Sequence, residues 1–520
     1  MSAPSTVSGK LDAHQRRTLL GICLVVGAAT VVPATYNYVL DPMLEGLGAS
    51  ESQSSLLRQL PSIAALLVIF LAGVLGGRWG ARRLISVGAV LFTVGCAAVA
   101  LAPAFPAAVA GLVIESIGAS ALLVVALGLL SASVSDSEAR ASAFATFAIV
   151  APLVYTTSPL VAGAIVDNTS WRLVPVLWAL GGLVMLWSAR TLLPADHDER
   201  DAGELVTPAL AGLVLASAVQ TINSIHTDGW TATSTLVRIG ITIVALVALI
   251  MVFRRMAQPT LSTAALKQGG MLILLVVVII IPFANLWFYA TMGFQYVYGL
   301  SVLQTAVVMI PAQLAGVLGA VLARRLIQRR GITTAGFAAL MLLAISLLLS
   351  CLLQVDTPIA LAVAIVAVYG IASVGAGIPL TNSIMDTAPP GEDGSAAAFR
   401  GAASNLGSAV GVIVMTTIVF GVISTSLTNQ LTQEGLASQQ SADIAAQIRD
   451  GATSESVASD YAVPVQEVDQ ISDAQRIAMV DGLHAQGAAG AAFISVGAVI
   501  FLVGRRRQDR TRRAEVPAPV

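Results

Sequence analysis

The stretch from Met271 to Tyr289 reads MLILLVVVIIIPFANLWFY and contains no charged residue. A bilayer core of roughly 30 Å takes about twenty helical residues to cross, so this stretch reads as a membrane span. Leu19 to Leu40 and Leu84 to Ala102 have the same character, and about fourteen such stretches recur along the chain. Hydrophobic residues make up 56% of the sequence, charged residues 11%, and the mean hydropathy is +0.83, which excludes a soluble globular class. Backbone polar groups cannot stay unpaired in lipid, so the spans are expected to be helices. The expected fold class is an all-α polytopic membrane protein.

The charges predict an orientation. Only Lys10 and Lys267 are lysines, and the arginines cluster in alternate connections: Arg16-Arg17, Arg78-Arg82-Arg83, Arg254-Arg255, Arg324-Arg325-Arg329-Arg330 and the run from Arg505 to Arg513. Cationic residues favour cytoplasmic connections. With an even number of spans, both termini are expected in the cytoplasm of a bacterium, and the protein in its inner membrane. The formal net charge of −1 hides this sidedness and gives no reason to expect nucleic acid as a partner. Cys23, Cys96 and Cys351 all fall inside spans, without metal-ligand or disulfide spacing. Neither a metal nor a cofactor is expected. No Walker loop or nucleophile–histidine–acid set is found, so the chain is not read as an enzyme.

Expected spans lie near 18–40, 54–76, 84–102, 107–130, 141–165 and 172–193, then 205–224 and 233–253. Six more follow near 271–294, 303–323, 335–354, 359–380, 397–424 and 486–504. The division is a cytoplasmic N-terminus at 1–17, a six-helix bundle at 18–193 and two inserted spans within 194–270. A second six-helix bundle takes 271–504, and 505–520 forms an Arg-rich cytoplasmic tail. The outside loop 426–483 is the longest connection, with carboxylates from Glu434 to Asp481 set against Arg449 and Arg476. Apolar residues at helical spacing in 442–449 and 468–480 predict a partly ordered helical hairpin there. It is expected to pack over the outer mouth as a lid, or to dock a protein partner on the outside face.

An internal echo supports the division. Gly73-Val74-Leu75-Gly76 leads to Ala81-Arg82-Arg83-Leu84-Ile85, and Gly316-Val317-Leu318-Gly319 leads to Ala323-Arg324-Arg325-Leu326-Ile327. Repeated halves of this kind build rocking transporters.

The pattern Gly73-x-Leu75-x-Gly77-Arg78-x-Gly80-x-Arg82-Arg83 resembles the signature loop between spans two and three of the major facilitator superfamily. Ser158-Pro159-Leu160-Val161-Ala162-Gly163 with Trp171-Arg172 is similar to the fifth-span antiporter motif and the Trp-Arg pair after it. Tyr298 to Gln304 with Ile310-Pro311, Leu406 to Gly411, and Val480 to His484 resemble further segments of the fourteen-span drug:proton antiporter group. The resemblance implies two six-helix bundles plus two inserted helices and alternating access. It also implies that Gly73, Gly77, Arg78, Gly80, Arg82, Arg83, Pro159 and Gly163 belong to gating motifs. The chain departs from the family pattern where coupling residues stand. Gly77 stands where the family places an Asp that helps to hold the cytoplasmic side closed, so the chain is expected to rely on other contacts and to populate inward-open states more readily. Ile114-Glu115-Ser116 takes the place of an Arg-containing stretch.

Ionisable groups inside spans are costly and mark function. Glu115 has apolar neighbours on both sides, and Arg58 enters the outer end of span two; these are the candidates for proton coupling. The other reading is a static Glu115–Arg58 pair that locks two helices. Tyr36, Asn37, Asn285, Trp287, Tyr289, Gln313 and Arg400 are the substrate-cavity candidates, with Gln295, Tyr296 and Asn382 nearby. For Arg400 a cytoplasmic helix-end position is the favoured alternative, and His226 and His484 are expected to be solvated. Aromatic and amide groups together suit an amphipathic ligand. The expected function is secondary active export of hydrophobic or amphipathic compounds, multidrug or lipid-like, with proton coupling. The alternatives are a lipid or glycolipid translocase without standard proton antiport, and a non-transporting receptor or scaffold. The expected partners are membrane lipids, a small amphipathic or lipid-like substrate, and protons.

Overall fold

The computed structural model describes residues 11–49, 51–134, 136–196, 204–256, 266, 270–388, 392–433, 441, 443–444 and 465–515. The first bundle is α1 (Ala13–Gly46), α2 (Glu51–Arg78), α3 (Ala81–Ala100), α4 (Phe105–Ser133), α5 (Ser137–Asn168) and α6 (Leu173–Thr191). The inserted pair is α7 (Val206–Asp228) and α8 (Thr233–Arg255). The second bundle begins with α9 (Met271–Ile280), a 3-10 turn (Ile281–Ala284) and α10 (Leu286–Tyr296). It continues with α11 (Val302–Ser350), α12 (Ile359–Met385), α13 (Asp393–Gln433) and α14 (Val465–Glu515). Among the described residues, 13 helical stretches are long and apolar enough to cross a membrane. One of them, Gln304–Ser350, joins two spans end to end at Gly331, whose φ of 81° breaks the helix.

Lipid tails are as apolar as leucine, so helices in a membrane associate by close packing rather than by hydrophobic drive. The chain supplies glycine where backbones meet. A Cβ on Gly95 of α3 would meet the Glu115 Cα of α4 at 2.8 Å, and one on Gly316 of α11 would meet Val374 of α12 at 2.8 Å. The inserted pair uses the same device, with Gly212 of α7 set against the Leu67 backbone of α2. α7 also touches α13, so it lies across the seam between the two bundles, whereas α8 packs chiefly on α7.

At the end of the molecule carrying the arginine clusters, cations satisfy carbonyls that helix ends leave free. Arg17 and Arg82 donate to the Thr191 and Arg190 carbonyls at the close of α6. The signature loop has a local physical reading here. Gly80 takes φ 99° and offers no side-chain cap to α3, and Asp196 caps it from across the structure. The Asp196 carboxylate accepts from the Arg82 and Arg83 N–H groups at 3.1 and 3.0 Å. A Cβ on Gly80 would collide with that carboxylate.

The bundles meet at the same end. A Cβ on Gly73 of α2 would stand 2.6 Å from the Gly394 carbonyl oxygen of α13, and Gly128 of α4 approaches Gly394 as well. Phe70 and Phe399 stack edge to face at 5.5 Å. Arg140 of α5 forms an ion pair with Asp386 at the end of α12 and donates to the Asn382 Oδ1 at 3.1 Å. Gly77 is exposed and makes no part of this seal.

The outer connection is shorter than the sequence suggests. Helix α13 continues to Gln433 and α14 begins at Val465, beyond the expected span ends at 424 and 486. A helix rises about 1.5 Å per residue, so both run well past a roughly 30 Å core. Val419, Ile423, Leu427 and Leu431 of α13 recur every four residues and pack on Ile471, Ala474, Ala478 and Leu483 of α14, with Ile444 between them. Most of 442–449 lies outside the described residues. His484, expected to be solvated, instead holds the Leu353 carbonyl through Nε2 at 2.7 Å.

Gly73→Val should force α2 and α13 apart, overpacking being worth about 1–3 kcal/mol. Asp386→Asn should do the same by removing the ion pair that ties α5 to the end of α12. In a background with the three cysteines replaced, both variants should increase thiol labelling of Ala132→Cys, which lines the pocket at this seam. Unchanged labelling in both would show that these contacts do not hold the seal.

Candidate functional site

Away from the sealed end, two lobes of a cavity lie between the helices. The first, of about 560 Å³, is bounded by α1, α2 and α4, with Asn405 of α13 reaching in from the second bundle. The second, of about 540 Å³, is bounded by α1, α5, α10 and α11. Pro33 of α1 belongs to both walls. Each lobe has the size of a small-molecule site; the first is lined mostly by apolar groups and the second by polar and apolar groups about equally.

Glu115 lines the first lobe and is 5% exposed. It sits one helical step from Gly111 and Gly118, which bring α3 against α4 and close the space behind it. Its carboxyl has no hydrogen-bond or ionic partner among the described residues. Three of the polar groups around it are already engaged. The Ser116 hydroxyl donates to the Val113 carbonyl at 2.9 Å, Ser120 to Ala65 at 2.8 Å, and Tyr36 to Leu57 at 3.0 Å. Leu57, Leu66, Ile69, Leu112 and Leu123 supply the apolar surface. The side chains of Arg58, Asn37 and His226 lie outside the described residues.

The second lobe takes its polar and aromatic groups from both bundles: Tyr38, Tyr155 and Thr156 on one side, Asn285, Trp287, Gln295 and Gln313 on the other. The 3-10 turn at Pro282 makes this arrangement. It resets the helical phase, so α10 turns Trp287, Phe288, Thr291 and Gln295 to the cavity. Trp287 is held edge to face against Tyr369 of α12 at 5.4 Å. Glycines of α13 and α14 accommodate the break, with Gly411 and Gly490 facing Phe283.

Two cavity expectations are corrected. Tyr289 lies on the opposite face of α10, packed among Met415, Val419 and Leu483. Arg400 lies about two turns into α13, half-buried, and its Nε donates to the Thr381 hydroxyl at 3.0 Å. It lines neither lobe and is not at a helix end. Of the gating residues, Pro159 lines the second lobe, whereas a Cβ on Gly163 would meet nothing within 4 Å. Asp196, Asn405 and the Arg140–Asp386 pair were not singled out from the sequence. Their partners stand far away in the chain, and no local pattern marks them.

With this geometry in view, comparison with known proteins is decisive. A family model described as Major Facilitator Superfamily matches residues 18–412. The chain belongs to that superfamily. It is 23% identical over 418 residues to the multidrug resistance protein Stp of Mycobacterium tuberculosis, covering 79% of this chain and 76% of Stp. It is 24% identical to the methyl viologen resistance protein SmvA of Salmonella typhimurium, over 78% of this chain and 83% of SmvA. With the multidrug efflux pump LfrA of Mycolicibacterium smegmatis it shares 25% identity over 86% of this chain and 87% of LfrA. Among solved structures, the human organic anion transporter MFSD10 (TETRAN) superposes with a TM-score of 0.60 at 13% identity, over 94% of this chain and all of that one. This superfamily member is therefore a multi-pass transporter-fold protein and not an enzyme.

Ala119→Trp should fill the first lobe and Ala306→Trp the second, since both residues line the walls. If the lobes hold one ligand in common, either substitution should abolish its binding while leaving thermal stability close to that of the parent. Binding that survives both would remove the cavity from the transport path.

Proposed function

We propose that this protein exports amphipathic organic compounds, cations among them, by alternating access and in exchange for protons. The observation that carries this reading is Glu115, a carboxyl without a partner among the described residues, in an apolar cavity at the meeting of two bundles. A carboxylate in such a place is costly unless it meets a cation or a proton. An organic cation with apolar surface offers both charge and complementary walls, and a proton neutralises the same oxygens. The two therefore compete for one group, which is the requirement for exchange. The names of the relatives, which speak of multidrug and methyl viologen resistance, support this choice over a lipid translocase.

The arginine distribution supports a cytoplasmic assignment for the sealed end, and hence a bacterial inner membrane with both termini inside. In that frame the cavity faces the outside. Protonation of Glu115 there releases the cargo, and the neutral site returns to the cytoplasmic side, where proton loss prepares it for the next molecule. The outer stalk of α13 and α14 is part of this reading. Arg476 of α14 donates to the Val297 carbonyl at 2.9 Å, so the stalk holds the outer end of α10, whose other face lines the cavity.

Glu115→Gln should leave the protein folded and remove the dependence of export on an imposed pH gradient, measured in liposomes with a fluorescent organic cation. Export that still follows the gradient would exclude Glu115 as the coupling group. Arg476→Ala should reduce the export rate with little change in ligand affinity, because it frees α10 without touching the cavity. An unchanged rate would separate the stalk from transport.

A further inference from the structure

The two arginine pairs of the internal echo meet different surroundings. Arg82 donates to a helix-end carbonyl, and the backbones of Arg82 and Arg83 are held by Asp196. Arg324 and Arg325 have no hydrogen bond or ion pair with any described residue. They line a pocket of about 320 Å³ between α5 and α11, at the arginine-rich end. Val321, Arg324, Arg325 and Gln328 form one wall at the three- and four-residue spacing of a single helix face. Ala145, Thr146 and Ile149 of α5 form the other. Toward the bilayer centre on α11, Leu318 and Leu322 are 58% and 51% exposed.

We propose that this pocket binds the phosphate headgroup of an anionic phospholipid, which bridges α5 and α11 and favours the conformation sealed at the arginine-rich end. Two adjacent guanidinium groups present forked N–H donors that match phosphate oxygens. A basic pocket between membrane helices, at the level of the headgroups, is the arrangement that selects anionic lipid. The apolar α5 wall and the exposed leucines of α11 continue the site toward the acyl chains, a surface that a soluble phosphate would leave unused. The walls come from different bundles, so the lipid contacts both only while the bundles are adjacent here. A ligand with such differential affinity shifts the conformational equilibrium toward that state.

The test uses the full chain in nanodiscs of phosphatidylcholine with and without phosphatidylglycerol. Lipid retention is read by native mass spectrometry, and closure by thiol labelling of Ala132→Cys in the cysteine-replaced background. The protein should retain phosphatidylglycerol in preference, and that lipid should reduce the labelling. Both effects should be lost in the Arg324→Gln/Arg325→Gln variant. They should also be lost in Thr146→Phe, which fills the pocket from the opposite wall and leaves both arginines in place. They should persist in Arg329→Gln/Arg330→Gln, one turn further along the same helix. Retention and protection undiminished by Arg324→Gln/Arg325→Gln or by Thr146→Phe would overturn the site. Equal loss in Arg329→Gln/Arg330→Gln would replace it with general attraction to a basic face. Protection by inorganic phosphate in pure phosphatidylcholine discs would assign the pocket to a soluble anion instead of a lipid.

Discussion

Close approach of helix backbones is the constraint on which the rest of this structure depends. Inside a bilayer, burying a leucine against another leucine gains little over burying it against lipid, so cohesion must come from fit. The contact of Gly73 with Gly394 shows how local that fit is. One added methyl group would place carbon 2.6 Å from a carbonyl oxygen, and the two bundles could no longer meet there. Among the described residues the seal combines close backbone approaches with an aromatic contact and the Arg140–Asp386 ion pair, all of which lie between the bundles, so it can open without disturbing the interior of either. That suits a protein whose halves must separate and rejoin.

The same economy governs charge. Apart from the clusters at its ends, the chain admits few ionisable groups to its interior, and the structure separates them by role. Arg140 and Asp386 neutralise each other across the bundles and act as a latch. Arg400 is stabilised by a hydroxyl on the neighbouring helix of its own bundle. Glu115 alone among the cavity-lining groups of the first lobe is acidic, and it faces open space. Among the described residues nothing latches or caps this interior carboxyl, and ionisable groups placed so are costly and usually functional.

Much of the fold was legible in the sequence, because span length is a one-dimensional signal. Span ends were less so. Hydropathy falls after position 424, yet the four-residue rhythm of Val419, Ile423, Leu427 and Leu431 carries the helix on, and that rhythm was readable. The candidate site divides in the same way. Glu115 declared itself by standing alone in an apolar run, and Asn285, Trp287 and Gln313 by their polarity in the same setting. Tyr289 could not be distinguished from Trp287, since the turn at Pro282 changes which face of the following helix points inward. Asp196 and the Arg140–Asp386 latch depend on contacts between distant parts of the chain, and no local pattern encodes them.

The position of α7 has a consequence for how the protein meets the membrane around it. A fold made of two similar bundles has two flanks where they join, and pseudo-symmetry would make those flanks equivalent. With α7 lying across α2 and α13, one flank is walled, while none of the described inserted helices lies against the α5–α11 flank. A molecule diffusing in the plane of the bilayer therefore meets a protein with a front and a back. That difference is set by a helical hairpin that lines neither lobe of the cavity.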